Sequence, residues 1–262
     1  MITARQFRPG LDTLGSQSVP AKGTVMHTTQ AAFSSELLPV EVISEAENFE
    51  LNGPAVILNL SPAPARIEVP LGGMIQPLRS TILTSGTRVS GKLLAVLGVP
   101  CTTPTEAELR LLGWEDFYDS RSPTAPPGTA ILLRSVQDRV GRVAFNRAEM
   151  LGDVTLDPAP VAYEIRLNLW FSPAHTDCGI HREHNFIETH TQIAGMGRMQ
   201  KFSQRSHASL FEDQRLAPGQ TQPSLFGCWD RQRIAYPWHQ YRADTDVVWL
   251  AVEYHALGGT PS

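Results

Sequence analysis

"YEIRLNLWF", residues 163–171, alternates without a break: Ile165, Leu167, Leu169 and Phe171 fall on one side of an extended chain, Glu164, Arg166, Asn168 and Trp170 on the other. A period of two residues is the mark of a β-strand with one apolar face. Working outward, similar runs recur: "AVILNL" (55–60), "ARIEV" (65–69), "KLLAVLGV" (92–99) and "GTAILLRSV" (128–136) upstream, "ETHTQI" (188–193) and "DVVWLAVEYH" (246–255) downstream. Twenty glycines and twenty prolines cut the chain into such short pieces. Short runs of branched and aromatic residues bounded by Gly and Pro predict an all-β sandwich or barrel. One helix is expected in "TPTEAELRLLG" (103–113), with Thr103 as N-cap, Pro104 at the first position, Glu106 completing a capping box and Gly113 as the stop.

The 262 residues suffice for one large domain or two small ones. The proline-rich "SRSPTAPPGT" (120–129) and "LDPAPV" (156–161) suggest a division into a β-rich 1–156 and a second unit, 157–262. A charged fraction of 18% and a net charge of -4 give no electrostatic footprint for nucleic acid or a membrane surface. The apolar runs are too short to span a bilayer. "MITARQFRPG" lacks the apolar centre of a secretory signal, and three cysteines make no disulfide framework, so a reducing cytoplasm is the expectation.

Seven of the eight histidines lie between His175 and His255, and the densest stretch is "GIHREHNFIETHTQIAGMGRMQ" (179–200). There His181, Glu183, His184, Glu188 and His190 precede Gly195 and Gly197, and "YPWHQY" places His239 further on. Strand residues two apart share a face, so Glu188, His190 and Gln192 should look into one cavity. Imidazoles with a carboxylate suit a divalent transition metal, Fe first, then Mn, Ni or Zn.

This spacing resembles the first motif of the cupin superfamily, in which His-x-His is followed after three or four residues by Glu and after six more by Gly. "PWH" resembles the second motif, and "GMGRMQ" the hairpin that follows the glutamate. The resemblance covers about the last 100 residues. It implies a cupin-like jelly-roll barrel in 157–262 with His181, His184, Glu188 and His239 as metal ligands, and a bicupin-type, metal-free barrel in 1–156. Where the motif's second histidine should stand the chain has Glu183, so Glu183 remains an alternative to His184. Glu183 and His190 are candidates for proton transfer, and Gln192 for substrate binding. The family implies a small-molecule substrate and admits a homodimer.

Three functions fit these residues. A mononuclear metal oxidoreductase of the dioxygenase kind comes first. A metal-dependent isomerase, epimerase or lyase on a sugar or hydroxy acid, and a non-catalytic small-molecule binder, are the alternatives. Other patterns carry less. His175 and Cys178 lack a second ligand pair for structural zinc. Trp170, Trp229, Trp238 and Trp249 are candidates for a cavity wall or for core. Arg166, Arg198 and Lys201 are more at home in solvent than on an acidic ligand. "GTRVSGKL" (86–93) nearly matches a phosphate loop, but Leu93 replaces the magnesium-binding hydroxyl, and a β-hairpin is the expectation.

Overall fold

The computed structural model describes residues 25–118, 131–151, 159–223, 228–230 and 233–257. The expected loop at 120–129 and the first half of the break at 156–161 lie outside them. The first seven strands are β1 (His27–Gln30), β2 (Val40–Glu50), β3 (Ala55–Asn59), β4 (Ala65–Val69), β5 (Gly73–Ile75), β6 (Ser80–Leu83) and β7 (Arg88–Gly98). They form one antiparallel sheet, ordered β1-β2-β7-β3-β6 with β4 and β5 curling off β7. Helix α1 (Glu106–Leu111) follows, then β8 (Glu115–Asp116), β9 (Leu133–Arg134), β10 (Asp138–Asn146), α2 (Arg147–Leu151), β11 (Pro160–Ser172) and β12 (Ile187–Ala194). The remaining strands are β13 (Gly197–Phe202), β14 (Leu210–Leu216), β15 (Cys228–Asp230), β16 (Arg233–Ala235), β17 (Trp238–Ala243) and β18 (Val247–Ala256). A second antiparallel sheet runs β12-β18-β11-β9-β8 with β10 also on β11; a third runs β14-β13-β17. The all-β class read from the sequence is the class of the structure.

The layering follows from which faces are apolar. "AVILN" of β3 is buried throughout, because its sheet is covered on both sides. Ala55 and Ile57 join Ile43, Leu94 and Val96 in one core, while Val56 and Leu58 join Val42, Ala95 and Leu97 in another. That second core is shared. Ile165, Leu167, Leu169 and Phe171 of β11 and Val248, Leu250 and Val252 of β18 enter it from the other side. Leu167 and Leu169 are fully buried, each stabilising the fold by about 1.5–3 kcal/mol. The alternation at 163–171 therefore does what it predicts: one face seals the shared core, and the other is free for a different purpose. Across from that other face stands the third sheet, whose Met199, Tyr241 and Ala243 pack with Trp249.

Three local readings need correction. The helix starts two residues later than expected, with Thr105 as N-cap and a reciprocal box to Glu108. Two overlapping Thr-x-x-Glu boxes compete here. The second places Pro104 just before the cap and Leu109 at the fourth helical position, and both are buried, the arrangement of a hydrophobic staple. Gly113, at φ +80°, does end the helical turn. Of "GTAILLRSV", only Leu133–Arg134 is strand among the described residues. "GTRVSGKL" leads into β7 as expected of a strand, but β7 pairs with β2, β3 and β4, not with the preceding β6, so it is no hairpin. Among the described residues no helix is long and apolar enough to cross a membrane.

Candidate metal centre and its cavity

The site begins with a strand-like segment that docks on β17. His175 and Cys178 donate backbone N–H groups to Ala243 and Tyr241, and His181 and His239 exchange both backbone hydrogen bonds, at 3.0 and 2.9 Å. Residues directly opposite in an antiparallel pair project to the same side. The two imidazoles accordingly lie together, with ring centroids 4.4 Å apart. Beyond His181 the chain leaves the extended conformation through 182–186 and turns. Strict alternation no longer applies, and His184 swings in beside the other two, 5.1 Å from each by ring centroid. Ligand atoms of His181, His184 and His239 all lie within 4.8 Å of one another. Glu183, the alternative to His184, is exposed and stands at the cavity wall outside that cluster.

The orientation of two of the three rings, His181 and His239, suits a metal. Nδ1–H of His181 donates to the Gly179 carbonyl at 2.8 Å, and Nδ1–H of His239 to that of Pro237 at 2.9 Å. Such carbonyl partners fix the tautomer and leave the Nε2 lone pair for coordination. Nε2 of His184 and Nε2 of His239 lie 3.2 Å apart. Two nitrogens bound at about 2.1 Å to one ion sit roughly 3.0–3.4 Å apart for angles of about 90–110°. The donor set therefore fits a divalent transition metal. Burial holds His239 down to about 3, helped by the neighbouring His181, and burial likewise lowers His184, so both are neutral near pH 7. Tyr236 supports the cluster. Its ring packs 4.9 Å from His184, and its hydroxyl bridges the Phe186 carbonyl and the Glu188 N–H.

Glu188, expected as the fourth ligand, is not in the cluster. It points to the same cavity from β12, but its Oε1 is 3.0 Å from Nε2 of His190, its neighbour two residues on along the same strand face. Burial pushes this carboxyl up, yet the charge and hydrogen bond of His190, with His184 and His239 behind it, bring it to about 2. His190 also approaches Sδ of Met199 at 3.3 Å. Glu188, His190 and Glu183 all line a cavity of about 680 Å³ together with His181 and His184. Small-molecule sites run from about 300 to 1,000 Å³. Gln192 does not line it, contrary to the strand-face argument. It is fully buried, its amide donating to Ala194 and accepting from Tyr241, which reaches across from β17 and closes off that end.

Of the tryptophans, Trp170 and Trp249 line the cavity, Trp238 lies under Arg182 instead, and the Trp229 side chain is outside the described residues. Arg166, Arg198 and Lys201 are engaged by Glu164, Asp213 with Asp244, and Glu212, away from the cavity. Cys178 is not among the clustered ligand atoms: its sulfur accepts from the Tyr241 N–H, and desolvation raises its thiol to about 12. The sequence reading gives Glu253 no role and takes His255 for an ordinary polar residue. Glu253 lines the cavity directly opposite Glu188 in the β12–β18 register and is 2.7 Å from His255. The signal was present as a second Glu-x-His, "EYH" (253–255) beside "ETH" (188–190).

No family model matches the chain, and no curated protein matches it. Several solved structures do. A cupin 2 conserved barrel domain protein from Leptotrichia buccalis is 8% identical over 90% of this chain and 92% of that one, with a TM-score of 0.28. Oxalate decarboxylase from Bacillus subtilis is 12% identical over 85% of this chain and 70% of that one, TM-score 0.31. A DMSP lyase is 20% identical over 37% of this chain, TM-score 0.25, and the match spans only 43% of the lyase. Neither fold nor reaction is taken from likeness at this level; the fold rests on the strands and sheets themselves. The chain is an antiparallel all-β protein whose neighbours of known structure include cupins, the family its sequence resembles.

Proposed function

We propose that the chain is a mononuclear metal-dependent enzyme acting on a small organic molecule, with His181, His184 and His239 as the metal ligands. The observation that carries this reading is the convergence of three imidazoles, two with their Nε2 freed by carbonyl partners, at the edge of a cavity of small-molecule size that His181 and His184 line. A metal held by three imidazoles and open to the cavity would supply Lewis acidity and, for iron, redox chemistry. Dioxygenase-like oxidoreductase chemistry is the first reaction to assay.

The chain's own residues then divide the work. The cavity walls bind and orient the substrate and exclude water. Glu188 and His190, paired at 3.0 Å, hold one proton position facing the cavity, and Glu253 with His255 hold another. These two carboxylate–imidazole pairs are the specific reason to keep a second reading, a metal-dependent isomerase, epimerase or lyase, in which proton transfer dominates. Reconstitution with Fe(II), Mn(II), Ni(II) or Zn(II), each followed by oxygen uptake and by NMR of a panel of small organic acids and sugars, tests both. Oxygen consumption with iron supports the first. Turnover without oxygen supports the second. Absence of any turnover with every metal would leave a binding protein.

A further inference from the structure

The strand registers lay the cavity face of the second sheet out as a grid. Along β18, Trp249, Ala251 and Glu253 point to the cavity side. On β12 their cross-strand partners are Gln192, His190 and Glu188, and on β11 the partners of Trp249 and Ala251 are Trp170 and Asn168. Ala251 is the small residue at the centre, between His190 and Asn168, so the floor is lowest there. Two wall residues on this grid carry unusual groups. Asn168 is 3% exposed and Trp249 2% exposed, and both line the cavity. Among the described residues, Oδ1 of Asn168 and Nε1 of Trp249 have no hydrogen-bond partner. Nearly all buried polar groups in folded proteins are paired, because one left unpaired loses its hydration without compensation. The indole is held in place: the Trp249 ring is stacked on Tyr241 at 4.0 Å between centroids, and Tyr241 is itself tied to Gln192.

From these two groups we infer that Asn168 and Trp249 form a substrate-positioning pair for a hydroxyl-bearing molecule of the sugar, polyol or hydroxy-acid kind. The inference rests on the reading of this cavity as the substrate site and names the substrate class. The two groups have opposite demands: Asn168 Oδ1 needs a donor, and the indole N–H needs an acceptor. A hydroxyl meets both. A plain carboxylate would satisfy only the indole and would face Glu188 and Glu253. A plain amine would satisfy only the asparagine, and a hydrocarbon neither. The positions are diagonal neighbours across β11 and β18, about 7–8 Å apart at the backbone, a span that two hydroxyls on a short skeleton bridge. Trp170, stacked against Trp249 at 6.2 Å and 12°, presents an aromatic wall to the carbon skeleton of such a molecule.

The test is the indole N–H resonance of Trp249 in a nitrogen-15 correlation spectrum, assigned by its loss in Trp249→Phe. Probes are D-glucose, D-xylose, myo-inositol, glycerol, glycolate and L-lactate, with acetate, propionate and propylamine as comparators lacking the hydroxyl. The expected result is that at least one hydroxylated probe shifts this resonance saturably while the comparators do not. Asn168→Leu should weaken that binding about tenfold with the other four indole resonances in place, which shows the variant folded. No shift with any hydroxylated probe, or an equal shift with the comparators, overturns the inference. The titration is run on metal-loaded and on chelator-treated protein. A shift in a protein that takes up no metal keeps the positioning pair and removes the metal reading; metal uptake with no shift does the reverse.

Discussion

His239 should make the stability of the metal-free protein depend on pH in a calculable way. Its imidazole is 1% exposed, and burial with His181 alongside holds it at about 3, against about 6.5 for an unfolded chain. The folded-state value is depressed, so above pH 6.5 neither state is protonated and no penalty arises. As pH falls below 6.5 the unfolded chain takes up a proton that the folded chain refuses, and stability drops until the folded value is reached. Each unit is about 1.4 kcal/mol, so moving from pH 7.5 to pH 5 should cost roughly 2 kcal/mol from this residue alone. His184, also lowered by burial, adds in the same direction, whereas Glu188, held near 2, does not titrate in that window. The assay is urea unfolding of chelator-treated protein at both pH values, for the parent and for His239→Asn. The asparagine can still donate to the Pro237 carbonyl but carries no titrating group. The variant should lose about 2 kcal/mol less than the parent on acidification. Equal losses in the two proteins would refute the argument that this imidazole is buried and neutral.

Other expectations follow from particular contacts. A methyl group on Gly197 would come 1.8 Å from the Tyr241 hydroxyl, so Gly197→Ala should displace Tyr241 from Gln192 and Trp249 and cost about 2–5 kcal/mol by chemical denaturation; a loss under 1 kcal/mol would show that Tyr241 moves freely. Tyr241→Phe leaves the Gln192 oxygen buried without its donor and should cost about 1–3 kcal/mol, read as a shift in urea midpoint with unchanged slope. Thr105→Ala removes the N-cap of α1 and should cost about 1 kcal/mol, whereas Thr103→Ala should cost almost nothing. In peptide-mapped thiol labelling, exposed Cys101 should react long before Cys178, which is half-buried, accepts from the Tyr241 N–H and has its thiol raised to about 12; equal rates would contradict the shielding of Cys178.

What was legible in the sequence was local. Alternation at 163–171 identified both faces of β11, and its outward face, Asn168 and Trp170, proved to be cavity wall. Glu188 and His190 were rightly placed on one face because they lie within one strand. Gln192 shares that face but does not reach the cavity, since its fate depends on Tyr241, a residue on another sheet. The choice between Glu183 and His184 was undecidable from spacing because it turns on where the chain stops being extended after His181, and the docking of 175–181 on β17 sets that point. Glu253 was given no role, and His255 only that of an ordinary polar residue, for the same reason, as only the β12–β18 register brings Glu253 opposite Glu188. Thr103 and Thr105 both satisfied the capping rule, and burial of Pro104 and Leu109 distinguishes them only in three dimensions.

The central claim is that His181, His184 and His239 hold one metal ion. Its most direct test is the metal content, by mass spectrometry, of tag-free protein reconstituted under reducing conditions, compared across His181→Ala, His184→Ala, His239→Ala and Glu183→Ala. The account predicts one transition metal per chain in the parent and in Glu183→Ala, and none retained in any of the three histidine variants. Retention in His184→Ala together with loss in Glu183→Ala, or no uptake by the parent, would contradict it.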